Sequence, residues 1–592
     1  MTLTPAEEEV VRAANEGRPA NFTVRNAGDS SANDPKNGGK WGPERTIRAE
    51  VIYDLAVGAN PGWPTHAKGV QVAGANIVGT LDFQGAKISR PLLLVKCRLS
   101  EPMILIDATA HTISLYGCHV AEISAFRLTT SGSVLLNKGF TAERGVELYA
   151  AHIGGDFDCD GGTFTNPEGP ALFADGLEVL GNVFLRAWRP SGRYVLFRAL
   201  GEVRLLGAHI HGDLDCSGGE FEGNAGRALS ADRSIVDGTV CLRNKFHAKG
   251  EVRFLGSQIR GDLDCAQATF ENPESAALNA DSVSVGGNIL LNRGFKARGM
   301  VRLVGARING DLNCTGGSFC AEKTANNPHG MALSIDRAEM GELFFRLLAH
   351  PPKGVVNFAY AKAALLNDDA PSWPQAGHLW LDGFVYDTIA APAPTQVKDR
   401  LDWLKRQPRD RSWPLAYEQL INALRRMGHE RDARKVAIAK EKALRKSGEL
   451  GPGARAWNLC LGATIGHGYK PWLAVLWMLL LIIIGAGVFC EANRLGVMVP
   501  SNNAAYEGES FHAPGGVRQP PSRPVFQPVF YSVDVFLPFV DLHQKSLWWL
   551  HERNSWDWIY VGFESYFLVQ QILGWLFTGL LVAGITGIIR KD

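Results

Sequence analysis

The chain lacks most of the motifs that would mark a soluble enzyme. Its ten cysteines include no CxxC pair, which leaves a zinc ribbon or a thioredoxin-type redox motif without support. No GxGxxG follows a strand and opens a helix, and GxxxxGK[ST], HExxH and GxSxG are missing, so nucleotide binding, zinc proteolysis and serine hydrolysis lose their usual signatures. We therefore expect no cofactor, no catalytic residues and no bound metal, and the sequence leans against an enzyme.

An excess of charge of either sign is also missing. Lys and Arg number 61 against 60 Asp and Glu, whereas a nucleic-acid binder would show a basic excess. The N-terminus has no apolar stretch, so we expect no cleavable signal peptide. Instead Thr4, Pro5 and Glu7 predict the N-cap, first position and capping-box partner of a short helix. We assign residues 1–69 to an N-terminal helical cap region.

The feature that the chain does have is a repeat. Residues 153–159, 210–216, 259–265 and 308–314 read IGGDFDC, IHGDLDC, IRGDLDC and INGDLNC, and the last three are 49 residues apart. A weaker copy, apolar-x-Gly-x-apolar-x-apolar, lies between them. The glycine of this template recurs at steps of 23, 26, 31, 26, 23, 26 and 23 residues between Gly132 and Gly310. The 49-residue unit is therefore two coils of 23 and 26 residues.

This repeat predicts a mainly β protein whose residues 70–390 form a parallel β-helix, or solenoid. Alternation of apolar and polar residues marks short strands with one buried face, and stacked coils share one interior. Glycine before each strand suits a corner where the backbone turns tightly. The prediction places four residues of one coil on their equivalents two coils away, namely Ile259, Leu263, Cys265 and Phe270 on Ile308, Leu312, Cys314 and Phe319.

Several recurring residues invite a chemical interpretation. Cys159, Cys216, Cys265 and Cys314 occupy the inward position that leucine holds in neighbouring coils, which predicts packing rather than metal or redox chemistry. The pairs Asp213/Asp215 and Asp262/Asp264, with Asp311 beside Asn313, could bind calcium, but exposed charge complementarity is favoured, with Arg204, Arg253 and Arg302 offsetting the acidic charge. His209 and His211 do not recur in later coils, so chance is the default explanation for them.

Beyond the solenoid the apolar period changes from two to 3.6. Residues 394–450 predict a helical hairpin of the tetratricopeptide type, capping the open end of the solenoid. A juxtamembrane segment, 451–470, follows nine basic residues within 425–446. Residues 472–490 and 566–589 predict two transmembrane helices.

The charges flanking the two spans predict their orientation. Basic residues precede the first span, and Arg590 and Lys591 follow the second, whereas the outer loop, 491–565, holds five Lys and Arg against eight Asp and Glu. The positive-inside rule then places the solenoid and the C-terminus in the cytoplasm of a multi-pass inner (cell) membrane protein. Residues 500–528 predict a flexible linker.

A short apolar segment, 529–541, lies inside the outer loop and is too short to span. It predicts a re-entrant or interfacial helix, with Trp548, Trp549, Trp556 and Trp558 at the headgroup level. Asp534 and Asp541 could line a cation path, or they could be solvated helix ends. In the second span, Gly579, Ala583 and Gly587 predict a helix-packing stripe against the first span or another subunit.

The whole chain also resembles a known family. The resemblance rests on residues 41–51, the GDLDC coils, residues 381–384 and 417–420, Gly428 with His429, and residues 573–575 before the basic terminus. These segments look like a widespread bacterial family of pentapeptide-like β-solenoids with a C-terminal two-helix membrane unit. Its members are often named membrane-associated oxidoreductases. The resemblance implies that activity without assigning catalytic residues, and the coils depart from the strict pentapeptide-repeat turn length.

Three functions are therefore expected, in decreasing order of support. The first is a membrane-anchored solenoid scaffold or interaction protein that contacts the lipid bilayer and, through its solenoid, a protein partner or a second copy. The second is a channel- or transporter-like subunit with a cytoplasmic solenoid sensor. The third is the membrane-associated oxidoreductase that the resemblance implies. None of the three involves nucleic acid.

Overall fold

A computed structural model describes residues 2–24, 30–189, 194–391, 393–408, 413–500, 525–550 and 558–588. The chain divides into two units. The first comprises Met1–Arg409 and Leu415–Glu430, and the second comprises Asp410–Pro414 and Arg431–Asp592.

The first unit begins with the predicted capped helix. Helix α1 spans Pro5–Glu16, and its capping box is complete: the Thr4 hydroxyl accepts from the Glu7 amide, while the Glu7 carboxylate accepts from the Thr4 amide. Helix α2 spans Ala49–Val57. Short 3-10 helices lie at Ser30–Asn33, Pro35–Lys40 and Pro43–Arg45.

The solenoid prediction is confirmed. The chain forms a parallel β-solenoid of about 14 turns whose coils are about 23 residues apart, and a regular coil gives two short strands to each of two sheets. The first sheet contains Ala20–Asn21, Val70–Ala73, Lys87–Ile88, Leu92–Val95, Thr109–Ala110, Ile113–Tyr116, Thr129–Thr130, Val134–Leu135, His152–Ile153, Phe157–Asp158, Glu178–Val179, Val183–Phe184, His209–Ile210, Leu214–Asp215, Ile235–Val236, Val240–Cys241, Gln258–Ile259, Leu263–Asp264, Ser284–Val285, Ile289–Leu290, Arg307–Ile308, Leu312–Asn313, Glu339–Phe345, Lys362–Asp368 and Val385–Ile389. The second sheet contains Thr46–Arg48, Asn76–Val78, Leu81–Asp82, Arg98–Leu99, Met103–Ile104, His119–Val120, Ile123–Ser124, Thr141–Ala142, Val146–Glu147, Thr163–Thr165, Leu172–Phe173, Arg198–Leu200, Val203–Arg204, Glu220–Ser230, His247–Arg253, Thr269–Asn279, Lys296–Arg302, Ser318–Cys320, Met331–Ser334, Val355–Asn357 and Leu379–Trp380.

The N-terminal region is more than a helical cap. Ala20–Asn21 pairs with Val70–Ala73, and Thr46–Arg48 pairs with Asn76–Val78, all in parallel. Strands before residue 70 therefore already belong to the solenoid. The repeat template is too degraded there to be read, because single short strands carry little periodicity.

The strand register agrees with the predicted coil pair. Ile259 pairs with Val285, and Val285 pairs with Ile308, so the 49-residue unit spans two coils. The residues predicted to face inward are buried. A column of phenylalanines fills one side of the interior, with neighbouring ring centroids 5.0–5.6 Å apart. The column comprises Phe140, Phe164, Phe197, Phe221, Phe246, Phe270, Phe295 and Phe319.

The repeated glycines lie at the bend before each strand, as predicted, and they also allow close stacking of the coils. The Gly238 amide donates to the Gly212 carbonyl at 3.0 Å, and the Gly261 amide donates to Gly238 at 2.9 Å. A Cβ on Gly238 would lie 2.2 Å from Oδ1 of Asp213 and 2.7 Å from the carbonyl oxygen of Gly212. Any side chain would force these coils apart, which explains the recurrence of glycine.

The C-terminal end of the solenoid is covered by helix. Helix α3 spans Val397–Leu404, helix α4 spans Pro414–Arg426, and a 3-10 helix lies at Ala370–Ser372. Arg400 of α3 forms an ion pair with Asp368 of a terminal strand, and Gln419 of α4 donates to the Tyr386 carbonyl. These bonds occupy polar groups at an end that would otherwise be open.

The second unit is helical. Helices α5, α6, α7, α8, α9 and α10 span Glu430–Ser447, Pro452–Ile465, Trp472–Arg494, Pro528–Phe536, Gln544–Leu547 and Trp558–Thr586, and Met498–Pro500 pairs with Trp548–Leu550 in antiparallel fashion. Helix α5 begins at the boundary between the units. Helices α7 and α10 are long and apolar enough to cross a membrane. Helix α10 begins earlier than the predicted residue 566, because the helix continues through Glu564. Residue 589, Arg590, Lys591, Trp556 and most of the predicted linker lie outside the described residues.

Candidate functional site

The first aspartate of each GDLDC motif bonds to the next coil's backbone. Oδ1 of Asp213 accepts the Thr239 amide at 2.7 Å, and Oδ1 of Asp262 accepts the Asn288 amide at 2.6 Å. Asp311 accepts from Glu342 in the same way. These carboxylates satisfy main-chain donors between coils, which is a structural role that needs no calcium.

The second acidic position of the motif shapes a turn. Oδ1 of Asp264 accepts the Ala266 amide at 3.0 Å, and Oδ1 of Asn313 accepts the Thr315 amide at 2.9 Å. Asn can replace Asp at this position because both side chains form the same hydrogen bond to the backbone two residues on. Where the residue is Asp264, its other oxygen is 3.0 Å from the Arg243 guanidinium.

The predicted partners of the three recurring arginines were wrong. Arg204, Arg253 and Arg302 pair with Asp175, Asp232 and Asp281, not with the GDLDC aspartates. Each of those three aspartates lies in a turn of the preceding coil and also accepts a backbone amide of the arginine's own coil. The prediction had paired each arginine with the nearest repeating aspartates in the sequence. In the stacked coils, each arginine lies instead beside an aspartate in a turn of the preceding coil.

The inward position predicted for four solenoid cysteines is confirmed. Cys159, Cys216, Cys265 and Cys314 are fully buried, and burial raises the pKa of each thiol. The Cys241 thiol has its pKa raised to about 12 for the same reason. A thiol in such surroundings is a poor nucleophile and a poor metal ligand.

His209 and His211 have ionisable neighbours from adjacent coils, which the comparison of repeat positions had not indicated. Their rings stack with centroids 4.0 Å apart. The neighbouring coils bring Glu178 to 3.5 Å from Nε2 of His211 and Asp237 to 3.3 Å from Nε2 of His209. Sequence reasoning missed this cluster because it compared each position only with its repeat equivalents and not with the coils directly beside it.

A shallow basic pocket lies near the C-terminal end of the solenoid. It has a volume of about 240 Å³, and Lys323, His329, Lys353 and His378 contribute to its lining. The two lysines at this opening attract anions electrostatically. No motif in the sequence indicated this pocket, since its residues come from three separate coil segments.

Asp534 and Asp541, the residues predicted for an ion path, have different surroundings. Asp534 is buried, and its two oxygens accept the amides of Leu542 at 3.1 Å and Lys545 at 2.7 Å. Asp541 is 77% exposed and accepts the His543 amide. Asp534 therefore anchors the chain that follows α8, and the two carboxylates differ in access to solvent. An ion path through them stays a prediction.

The short helix α8 packs on both apolar helices of the second unit. The Ser532 hydroxyl donates to the Ile482 carbonyl of α7 at 2.8 Å, and Gln570 of α10 donates to Ser532 at 2.7 Å. Gly574 of α10 meets the Phe536 backbone of α8. Polar bonds between helices are typical of protein interiors within a bilayer.

The predicted small-residue stripe is not the contact between the apolar helices. A Cβ at Gly579 would meet nothing within 4 Å, whereas Gly574 and Gly584 are the glycines of α10 with close neighbours. Gly587 follows the helix and has a φ of 81°. Packing of Gly579, Ala583 and Gly587 on another subunit stays a prediction.

No family model matches the chain, and neither does any curated protein or solved structure. The family resemblance and the oxidoreductase activity that it implies therefore stay predictions. Any functional assignment depends on the residues themselves.

Proposed function

We propose that the protein is a membrane-anchored scaffold whose solenoid presents a long, rigid surface to a protein partner or to a second copy of the chain. The observation that carries this proposal is the combination of a filled solenoid interior with two apolar helices that leave most of their side chains exposed. A filled interior offers no chamber for a substrate, and exposed apolar helices need a lipid surface.

The exposure of α7 and α10 supports the anchor. Only 28% and 22% of their most apolar stretches are buried within the protein. Ile483 of α7 is 69% exposed, and Ile572 and Ile585 of α10 are exposed to a similar degree. Apolar surface of this extent is too large for an ordinary soluble protein and suits the hydrocarbon core of a bilayer.

An outward aromatic stripe supports the scaffold. Phe126, Tyr149 and Phe173 lie on three successive coils, with ring centroids 6.3 and 5.9 Å apart. The Arg204 guanidinium lies over the Phe173 ring. Aromatic and arginine side chains are enriched at protein interfaces, because they bury a large area at low cost in side-chain entropy.

Site-specific photo-cross-linking in intact cells tests the scaffold. A photoreactive phenylalanine analogue at Tyr149 should trap a discrete adduct, whose mass identifies either a second copy or one partner protein. The same analogue at the exposed Leu347, away from the stripe, is the matched control. Absence of an adduct at Tyr149, or an equal yield of adduct at Leu347, would contradict a partner on this stripe.

A channel-like subunit is the second candidate, and the position of α8 favours it. A short helix held between two candidate spans by Ser532 and Gln570 is the arrangement expected of a re-entrant segment. Ion flux in liposomes that contain the purified protein, lost on Asp541→Asn, would support this candidate. Liposomes without flux would rule it out.

The proposed setting is the inner membrane, with the solenoid and the C-terminus in the cytoplasm. Support comes from the basic residues on α5, which precede the first candidate span in sequence. A reporter fused after Asp592 should be active only if it stays in the cytoplasm. An exported reporter would reverse the orientation.

A further inference from the structure

Five ionisable side chains meet on an outward face of the solenoid. His152, Glu178 and His209 occupy the same register position in three successive strands of the first sheet. His211 follows two residues later, and Asp237 comes from the next coil. The fold itself does not require these residues, because the same register position holds Ile235, Gln258 and Ser284 in the coils that follow.

Asp237 orients both imidazoles. Its Oδ2 lies 3.3 Å from Nε2 of His209 and 3.4 Å from Nδ1 of His211. A carboxylate that accepts one ring N–H from each histidine fixes the tautomer and the ring orientation. Each imidazole then keeps its other nitrogen as a lone-pair donor, and Nε2 of His211 is 3.5 Å from Oε1 of Glu178.

We propose that Glu178, His209 and His211 bind a divalent transition-metal ion of the zinc type, with Asp237 as the carboxylate that holds the two imidazoles. One ring nitrogen of each histidine and one oxygen of Glu178 already lie within 4.8 Å of one another. Ligands around a tetrahedral zinc ion are about 3.3 Å apart, given Zn–N and Zn–O bonds of about 2.0–2.1 Å. The proposal requires rotation of these partly exposed side chains to bring the ligand atoms to that separation.

The donor set selects the class of metal. Two imidazoles and one carboxylate suit zinc, nickel, cobalt or copper, whereas calcium and magnesium prefer oxygen ligands alone. Three protein ligands leave a fourth position to water or to a group from a partner. The carboxylates of Glu178 and Asp237 also place negative charge beside the two imidazoles, which favours a cation.

Two neighbouring side chains compete with a metal for the carboxylates at this site. His152 lies 2.8 Å from Oε2 of Glu178, and Arg260 lies 3.3 Å from Oδ1 of Asp237. Each contacts the carboxylate oxygen that faces away from the histidine pair. Oε1 of Glu178 therefore stays available to a metal, and Oδ2 of Asp237 stays with the two imidazoles.

Metal binding would join adjacent coils. Glu178 belongs to one coil, the two histidines belong to the next, and Asp237 belongs to a third. A metal that binds only the folded coils stabilises them. The gain in stability grows with the logarithm of the ratio of metal concentration to the dissociation constant. Zinc should therefore slow amide hydrogen exchange in the strands around Glu178, His209 and Ile235.

Calorimetric titration of the full-length protein in detergent with zinc chloride tests the site. The protein carries no polyhistidine tag and is first freed of metal with a chelator. We expect one equivalent of zinc per chain, with at least tenfold weaker binding in Glu178→Gln and in His211→Gln. His247→Gln is the matched control, because His247 also faces a glutamate, at 3.7 Å from Glu271, but lies outside the cluster. It should bind zinc as the wild type does.

Cobalt supplies a second measurement that does not depend on affinity. Cobalt bound to the wild type should give the visible absorption of a four-coordinate ion, and Glu178→Gln should lose it while its far-ultraviolet circular dichroism stays unchanged. Failure of the wild type to bind zinc would overturn the proposal. Wild-type affinity in Glu178→Gln would also overturn it, since that result indicates only a surface pair of histidines.

Discussion

Arg400 and Asp368 form a bidentate ion pair that is completely buried. Nη1 of Arg400 lies 2.9 Å from Oδ2 of Asp368, and Nη2 lies 2.7 Å from Oδ1. Nε of Arg400 donates to the Pro394 carbonyl at 2.6 Å, and the Trp373 indole donates to Asp368 at 2.8 Å. The pair connects helix α3 to a terminal strand of the solenoid. Its hydrogen bonds form one buried network, so the loss of one side chain leaves the polar groups of the others without partners.

Removal of one partner should loosen this end of the solenoid. Arg400→Leu leaves the Asp368 carboxylate buried without its cation, which costs about 3–5 kcal/mol. Hydrogen exchange should report that loss as faster opening of the strand Lys362–Asp368. Lys362→Ala removes an exposed ion pair with Glu339 from the same strand and should change little. Equal exchange in the two variants would contradict a structural role for the pair.

Acid should remove one specific contribution to stability at the N-terminal end. The Arg48 guanidinium, the Thr4 amide and the Arg48 amide bond to the Glu7 carboxylate and lower its pKa from 4.5 to about 2. The folded-state pKa lies below the unfolded one, so the contribution is complete above about pH 5 and fades as the pH falls towards 2. Glu7→Gln should therefore cost about 2–3 kcal/mol at neutral pH and almost nothing near pH 2. Hydrogen exchange of α1, corrected for intrinsic rates, measures the difference, and a pH-independent difference would refute the ionic explanation.

Thiol labelling should distinguish packing cysteines from accessible ones. Cys97, Cys118, Cys159, Cys216, Cys241, Cys265 and Cys314 are buried, whereas Cys460 is exposed. Burial raises the pKa of Cys159, Cys216 and Cys265, so even pH 9 leaves them as thiols. A maleimide should modify Cys460 in the native protein and the seven buried cysteines only after unfolding. Rapid native labelling of Cys265 would show that the interior is open.

Two glycines of α10 should respond differently to the same small change. A Cβ on Gly574 would lie 1.7 Å from the Phe536 carbonyl oxygen, whereas a Cβ on Gly579 meets nothing within 4 Å. Gly574→Ala must displace α8 and should lower stability by about 1–3 kcal/mol. Gly579→Ala should be neutral or slightly stabilising, because alanine favours helix. Thermal denaturation in detergent compares the two, and equal midpoints would mean that α8 does not pack on α10.

The solenoid could be predicted from the sequence because its signal is both local and repeated. Ile259 and Cys265 alternate with polar neighbours, and the same pattern returns 49 residues later at Ile308 and Cys314. The repetition shows which residues of different coils are equivalent, and this fixes the pairing of their strands, which a single short strand does not reveal. Ala20–Asn21 has no such repetition, and its membership in the first sheet could only be found in the structure.

The side-chain partners across coils could not be predicted in the same way. Arg204 pairs with Asp175 at a separation of 29 residues, and His209 meets Asp237 at a separation of 28. Coil lengths vary from one turn to the next, so a small error in one turn changes which outward side chains meet. Inward positions tolerate such errors because every neighbouring coil also presents an apolar residue.

Membrane attachment tests the account most directly. Membranes from cells that express the full-length chain are washed with alkaline carbonate. The protein should then float with the lipid on a density gradient. Ile483→Lys with Ile572→Lys places a charge on an exposed position of each apolar helix, at a cost of about 2.5–3.5 kcal/mol per residue at the centre of a membrane helix, and should move the protein to the soluble or aggregated fraction. Quantitative release of the wild type by carbonate would contradict a membrane-anchored solenoid.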